Sequence, residues 1–599
     1  MGTRVVRVLP DVSGIDRQFD YLVPPELAAD VAVGTSVRVP LGARSVAGWV
    51  VDDDVAPPPG VRLLPLKAVR GRGPEPALVE LARWAAWRWA GPLRPFLRAA
   101  SPRKVVDRLP PPGRPSPRPP TAGPTAGATG AAASVRRMAE EALAAGRAVT
   151  RVPPAGPLWP VIEAVCDRLE GRGSVLLLCP ATDVAARVAD RLARAGRPVA
   201  LVPDGWAEAA AGGRIVVGAR AAAWAPAPGL AAVCVVDGHD ESYRDERAPT
   251  WSAWEVAAER ARRAEVPCVI TSACPPLELA EWAPVLGPDR GTERSGWPVL
   301  EVVDRTGDDP RSGLFSERLV RLARSVERSE ARPVVFVLNR KGRASLLACR
   351  SCGVLARCEA CGGAVIQPRG SADLHCPRCG LTRPVVCAGC GGTRLALARP
   401  GVSRVAEEVS ALLGAPVAEV SSDVKEGPPP GGEVVVGTEA ALHRVRRASA
   451  VIFVEFDQEL LAPRSRAAEQ ALVLIARAGR MVGGRAAASP GGRVMVQTRL
   501  PDHEVLEAAV AGDPDRLTSV EGRRRRLLRL PPYSALAELS GEGSEAVAHA
   551  LSALEGVEVV EARPGVWWVR AADHRRLGDA LASVREEGGP RVAVDPWRV

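Results

Sequence analysis

The sequence predicts a multidomain α/β protein: a small N-terminal β domain, two parallel-sheet lobes, and a cysteine-rich module inserted into the second lobe. Three observations predict it. Residues 4–66 alternate apolar and polar over short runs (Val5–Leu9, Phe19–Val23, Ser36–Pro40, Ala47–Val51) separated by Gly and Pro. Between 131 and about 500, eight β-rich runs alternate with Ala-, Arg- and Glu-rich helical stretches, which suits two parallel sheets better than one. Four Cys-x-x-Cys pairs then crowd into 42 residues: Cys349/Cys352, Cys358/Cys361, Cys376/Cys379 and Cys387/Cys390.

Taken in order, residues 1–66 form the β domain. Residues 75–100 switch to helical spacing through Leu78, Leu81, Ala82, Ala85 and Trp89, with Trp84 and Trp87 expected as packing residues. Residues 110–130 hold eight prolines and a Thr/Ala/Gly tract, so a flexible linker is expected. The first lobe spans 131–295 and the second 296–348 and 391–510. Their predicted strands are Val175–Leu178, Ile215–Val217, Ala232–Val236 and Cys268–Thr271, then Val334–Leu338, Val434–Val436, Val451–Val454 and Val494–Gln497. The cysteine module occupies 349–390. A C-terminal α+β domain, 511–599, contains the run Arg523–Arg526, expected on a solvated helix face, and a strand at Val566–Val569.

A chain of 599 residues exceeds one core and suits about four domains. Hydrophobic content of 46% indicates a globular protein, and no apolar run approaches the ~18 residues of a membrane span. The N-terminus (Met1-Gly-Thr-Arg-Val-Val-Arg) lacks an export signal, so a cytoplasmic protein without membrane contact is expected. A net charge of +10 and a pI near 9.2 suggest an anionic partner, nucleic acid by default. The basicity is nearly all arginine, as GC-rich coding would produce. A phosphate-binding Walker lysine follows Gly and precedes Ser or Thr; none of Lys67, Lys104, Lys341 and Lys425 does.

Paired thiolates on tight turns suit tetrahedral Zn²⁺, and eight of them make two closed Cys₄ sites of the structural kind. Fourteen residues separate Cys361 from Cys376 but only five separate Cys352 from Cys358. That favours a nested arrangement, with Cys358, Cys361, Cys376 and Cys379 on one Zn²⁺ and Cys349, Cys352, Cys387 and Cys390 on the other. Cys166, Cys179, Cys234, Cys268 and Cys274 sit in apolar stretches and read as core residues.

Two α/β lobes, an inserted double zinc-ribbon module and an N-terminal β domain together resemble the PriA family of replication-restart proteins, superfamily 2 helicases, in an actinobacterial-like form with degenerate motifs. Phe19-Asp-Tyr-Leu-Val-Pro with Val37-Arg-Val-Pro-Leu-Gly is similar to the family's domain that captures a nascent 3′ end. Leu338-Asn-Arg-Lys-Gly and Leu346-Leu-Ala-Cys-Arg-Ser-Cys-Gly look like its approach to the zinc module, and Leu530-Pro-Pro-Tyr like its C-terminal signature. The resemblance implies RecA-like lobes, a winged-helix-like remnant at 67–109, and a DNA 3′-end pocket involving Phe19, Asp20, Tyr21 and Gly42. It also implies forked and single-stranded DNA, primosome components, the replicative helicase and single-stranded DNA-binding protein as partners.

The motor motifs depart from the family. Its phosphate loop falls on Arg151-Val-Pro-Pro-Ala-Gly-Pro-Leu, where Gly156 remains, Pro157 stands at the lysine position and Leu158 at the threonine position. Three prolines remove N–H donors that phosphates need. The metal-holding box becomes Val236-Asp237-Gly238-His239; in either register one of its carboxylates is missing. The next motif survives as Thr271-Ser-Ala-Cys-Pro-Pro-Leu-Glu278, and Gly437-Thr438 keeps the start of another. Arg477-Ala-Gly-Arg480 keeps both arginines of the last. The expectation is a fork-recognising restart protein with two structural Zn²⁺, no catalytic residues, no ordinary ATP site and lobes retained as scaffold. The alternatives are an active ATP-dependent 3′→5′ helicase and a zinc-ribbon protein–protein adaptor.

Overall fold

The structure, a computed structural model, describes residues 4–56, 60–113, 130–169, 173–308, 313–338, 347–367, 371, 373–376, 379–397, 402–420, 431–485, 492–585 and 589–596. Most of the expected linker at 110–130 and the stretch Asn339–Leu346 before the cysteine module lie outside the described residues.

The N-terminal sheet is antiparallel, in the order Phe19–Leu22, Val5–Pro10, Arg44–Asp52, Ser36–Leu41, Ala68–Gly71, so it continues past residue 66. Its period of two sorts the side chains between two cores. Val6, Val8, Val37, Val39, Val50 and Tyr21 fill one face. Leu9, Trp49 and Val51 turn to the other, against the helices Pro76–Arg88 and Arg94–Ala100. Trp89 is fully buried there and meets Trp84 edge-on at 5.4 Å, while Trp87 donates through Nε1 to Asp579 at 3.0 Å. Both expected packing tryptophans thus pack within the protein.

The first lobe is a seven-stranded parallel sheet ordered Val285–Leu286, Arg147–Arg151, Cys268–Ser272, Leu230–Val235, Ser174–Leu178, Ile215–Gly218, Val199–Leu201. Val175 and Leu177 face the helices Gly130–Ala144, Trp159–Cys166 and Thr182–Arg194; Leu176 and Leu178 face Ala253–Ala264. Sheets covered on both faces are apolar nearly throughout, which is why these runs stand out in the sequence.

The second lobe is a six-stranded parallel sheet ordered Val299–Asp304, Arg493–Thr498, Ala450–Phe453, Val334–Val337, Val434–Gly437, Val417–Val420. Ala467–Val482 and Glu504–Ala511 cover one face; Glu317–Ser325 and Val402–Leu413 cover the other. All eight predicted strands are present. Arg147–Arg151, Val199–Leu201, Val285–Leu286, Val299–Asp304 and Val417–Val420 were not predicted, because their runs are short or interrupted by charge.

Between Val337 and Val402 the chain leaves the second sheet to form two small antiparallel ladders, Leu347–Cys349 with Leu395–Leu397 and Asp373–His375 with Thr382–Pro384. The C-terminal unit follows the helix Pro514–Leu527. It is a four-stranded sheet (Val557–Arg563, Val566–Ala571, Ala535–Ser540, Arg591–Val594) with the helices Ser544–Ser552 and His574–Ser583. Leu539, Leu551, Val569 and Leu577 of this unit join the core that the first lobe shares with the N-terminal helices.

Candidate functional site

The cysteine module is built from one turn used four times. Each Cys-x-x-Cys is followed by a glycine with positive φ: Gly353 (72°), Gly362 (68°), Gly380 (78°) and Gly391 (71°). At each, the glycine N–H donates to the carbonyl of the first cysteine at 2.9 Å, closing a loop that aims both sulfurs to one side. The sulfurs then gather into two groups: Cys349, Cys352, Cys387 and Cys390, and Cys358, Cys361, Cys376 and Cys379, with all Sγ atoms of a group within 4.8 Å of one another. Between the turns the contacts are Cys349–Cys390 and Cys352–Cys387 at 3.5 Å, Cys358–Cys379 at 3.4 Å and Cys361–Cys376 at 3.5 Å. A tetrahedron of thiolates about 2.3 Å from a metal has edges near 3.8 Å, so each group has the size and donor set for one metal ion. The outer turns hold one group and the inner turns the other. The module docks on the second lobe through a small apolar contact of Leu355 and Ala364 with Leu461.

The residues named for a 3′-end pocket lie on the N-terminal sheet. Tyr21 is buried, its hydroxyl donating to the Pro40 carbonyl at 2.9 Å. Asp20, on the opposite face, accepts from Arg7 Nε at 2.8 Å and Nη2 at 3.2 Å. Phe19 is half-buried with the Arg17 guanidinium 5.7 Å from its ring centroid, and Gly42 holds the turn between Ser36–Leu41 and Arg44–Asp52 at φ 56°.

The third group of residues lies between the lobes, where the first lobe presents the carboxyl ends of its strands, the usual ligand position in such folds, and the second presents the C-terminal part of the helix Ala467–Val482, beside the amino ends of its strands. In the first lobe, 152–158 follows the strand Arg147–Arg151. Every backbone N–H from 152 to 157 is either absent at a proline or bonded within the protein: Val152 donates to Ser272, Ala155 to Gly296 and Gly156 to Pro153. Leu158 packs against the lobe's own core. Asp237 follows Leu230–Val235 in the left-handed region at φ 52°, held there by its N–H to Thr271 Oγ1 at 2.9 Å. A Cβ on Gly238 would fall 2.3 Å from Ile270 Cγ2, so no acidic side chain fits at that position. His239 bonds Ser272 Oγ through Nδ1 at 2.8 Å, and burial is the main cause that lowers its pKa to about 4.

Two arginines of the second-lobe helix Ala467–Val482 reach across. Arg480 grips Asp237 with both terminal nitrogens, at 2.5 and 2.9 Å, and donates through Nε to the Pro154 carbonyl at 3.3 Å. Arg477 donates to Asp240 at 2.5 Å and meets His443 at 2.7 Å. Burial pushes the Asp237 carboxyl up, but the charge and hydrogen bonds of Arg480, aided by His239 and Arg477, outweigh it and hold the group well below the usual carboxylate range. Asp237, Arg477 and Arg480 thus meet across one cleft, beside the Pro154 carbonyl of the loop that carries Gly156, Pro157 and Leu158, and the polar groups of the three are engaged.

Residues 7–102 match the family model described as the 3′DNA-binding domain of PriA, a span that includes Phe19, Asp20, Tyr21 and Gly42. The probable replication restart protein PriA of Mycobacterium tuberculosis is 30% identical over 578 residues, 88% of this chain and 85% of its own length. The chain belongs to the PriA family of replication restart proteins. The PriA of Bacillus subtilis is 28% identical over 397 residues, covering 62% of this chain and 48% of that protein. Among solved structures, RecG bound to a three-way DNA junction aligns over 65% of this chain and 46% of that one, at 11% identity and a TM-score of 0.36.

Within this PriA-family chain, sequence reading did not find the carboxylate cluster around Arg525. That side chain is 2% exposed and faces Glu278 of the first lobe (3.2 Å), Glu469 of the second and Glu521 of its own helix (3.6 Å). Arg466 adds a contact to Glu278 at 2.6 Å. In the run Arg523–Arg526, Arg524 pairs with Glu504 and Glu521, and Arg526 pairs with Glu281 and covers the Tyr533 ring at 4.2 Å. A run of four arginines was the available signal, but it suggested solvent or nucleic acid rather than an internal joint. Among the described residues, no helix is long and apolar enough to cross a membrane.

Proposed function

We propose that this chain recognises stalled or abandoned replication forks and promotes replication restart by reloading the replicative helicase, without hydrolysing ATP. Family membership and the 3′DNA-binding match over residues 7–102 support the fork as ligand. The phosphate loop carries the loss of hydrolysis: no backbone N–H from 152 to 157 remains to receive a phosphate. Pro157 supplies no cation, and Gly238 leaves no room for a second carboxylate on a magnesium ion. The lobes then serve to hold the N-terminal sheet, the cysteine module and the C-terminal unit in fixed relation.

In this reading each Cys₄ group holds one structural Zn²⁺, the ion that tetrahedral thiolate sets favour. The 3′-end pocket lies on the N-terminal sheet around Phe19, Asp20 and Gly42, with Asp20 accepting from a base edge or terminal hydroxyl and the buried Tyr21 supporting the sheet from its other face. Forked and single-stranded DNA, the replicative helicase and other primosome components are its partners, in the cytoplasm. The segment 67–109 and the C-terminal domain complete the fork-holding body.

The test is equilibrium binding to a model fork with a free 3′-OH at the junction, against the same fork with that end blocked, at two salt concentrations. A preference for the free end that weakens steeply with salt supports the reading, because phosphate contacts release counterions. Equal, salt-insensitive binding to both forks overturns it. Phosphate release from ATP in the presence of the fork is measured alongside, and turnover above background overturns the loss of the motor.

A further inference from the structure

We propose that Arg477 and Arg480 act as a built-in latch that closes the two lobes on each other without a nucleotide, the carboxylates of Asp240 and Asp237 occupying the arginines in place of a phosphate. This rests on the reading above that no triphosphate binds, and adds that the closed arrangement is the resting state of the protein. Four independent contacts across the cleft carry it. Arg480 engages Asp237 through two parallel N–H bonds, the geometry in which guanidinium–carboxylate pairs are strongest, and also bonds the Pro154 carbonyl of the former phosphate loop. Arg477 engages Asp240, which is itself fixed by accepting from the Ser242 N–H at 2.9 Å. The helix backbone between the two arginines lies against the loop: a Cβ on Gly479 would stand 3.4 Å from Pro154 Cβ. Farther along the same helix, Glu469 accepts the Leu277 N–H at 2.9 Å from the first lobe's Pro-Pro-Leu-Glu turn.

In a nucleotide-driven motor, the energy that draws such arginines across a cleft comes from charge on the bound phosphate, and it disappears after hydrolysis. Here the attracting charge is covalently part of the first lobe and cannot leave. Asp237 pays for the arrangement with a left-handed backbone, and the Thr271 hydroxyl holds it there. A chain that must present DNA-binding and partner-binding units in one fixed geometry gains from a cleft that never cycles.

Hydrogen–deuterium exchange on the full-length protein tests this, with and without magnesium and a non-hydrolysable ATP analogue, for wild type and an R477A/R480A variant. Expected are identical exchange in wild type with and without the analogue, and at least about tenfold faster exchange in the variant at the amides of Ala155, Gly156 and Leu277, equivalent to about 1.4 kcal/mol of lost protection. Sheet strands such as Ser174–Leu178 keep their wild-type protection. Added protection of wild type by the analogue, or a variant that exchanges like wild type at the cleft, overturns the latch. If the double variant is deprotected throughout, R480K decides: it retains the charge but not the paired bonds, and unchanged exchange at the cleft overturns the proposal. Fork binding is read on the same samples. Loss of 3′-end preference with an intact exchange pattern removes the functional reading and leaves the latch standing.

Discussion

Arg480 and Asp237 face each other across the cleft between the lobes, joined by two hydrogen bonds although 243 positions separate them in the chain. In the reading proposed above each stands at the position of a different helicase motif, and each has the other as its partner. Their direct union changes what restoring a motif can achieve. An arginine already satisfied by a carboxylate is not waiting for a phosphate, and displacing that carboxylate leaves it buried and unpaired.

Rebuilding the phosphate-loop side chains alone is therefore expected to fail. A P157K/L158T variant regains the lysine and threonine but keeps Pro153 and Pro154, the Ala155 N–H on Gly296 and the Gly156 N–H on Pro153. DNA-stimulated phosphate release by this variant should stay at the wild-type background. A clear rise would show that the loop's backbone is free to refold around a triphosphate.

The two Cys₄ groups are separate in space and share no sulfur, so they should empty one at a time. Cys376 is fully buried at the inner group. C376S should lower metal content measured by plasma mass spectrometry by about one ion per chain, and it should loosen the ladder Asp373–His375 with Thr382–Pro384 first. C387S should remove the other ion and leave that ladder in place. Loss of both ions from either variant would mean that the sites fold as one unit.

Arg525 satisfies carboxylates from three different segments, and with only 2% of its side chain exposed water cannot replace it. Removing one partner of such a cluster costs about 3–5 kcal/mol, because the remaining charges stay buried. R525A should show a clearly lower thermal midpoint, whereas R523A, which removes an exposed arginine of the same helix, should leave it within about 1 °C.

The contrast between these two arginines shows where sequence reading stops. The eight strands predicted in the lobes are runs of Val, Leu, Ile and Cys covered on both faces, and that environment writes itself into composition. The cysteine groups were legible because a Cys-x-x-Cys-Gly turn is local and spacing limits which turns can meet. Glu278, Asp240 and Glu469 carry no such mark. Charged residues are common, and whether one faces water or a partner two hundred positions away depends on how sheets, once formed, pack together. Strand Arg147–Arg151 was missed for the same reason: its arginines at both ends disguise a place inside the sheet, between Val285–Leu286 and Cys268–Ser272.

Asp20 allows binding to be separated from stability. Its carboxylate is only 6% exposed, yet its partner Arg7 is 38% exposed, so D20A frees an arginine that water can solvate at a cost of about 1 kcal/mol or less. The variant should keep a near-wild-type melting temperature and plain single-strand affinity, and lose preference for a fork with a free 3′-OH. Equal loss on both substrates would assign Asp20 to the sheet alone.

Glu241 makes the protein's pH response predictable. Burial, reinforced by Glu439, pushes its pKa up to about 8 from the ordinary 4.5, while Arg464 and Arg477 pull the other way. A carboxyl raised in the folded state holds its proton at neutral pH where the unfolded chain has released it. Its burial therefore costs nothing below about pH 4.5 and costs progressively more as pH rises toward 8, by at most about 1.4 kcal/mol per pH unit. The Asp237–Arg480 pair has the opposite sign: its contribution is present throughout this range and disappears only in strong acid, so it adds no slope between pH 5 and 8. Thermal midpoints of wild type and E241Q should therefore diverge as pH is raised from 5 to 8, with E241Q the more stable at pH 8. Parallel curves would place the Glu241 carboxyl in contact with water despite the residues around it.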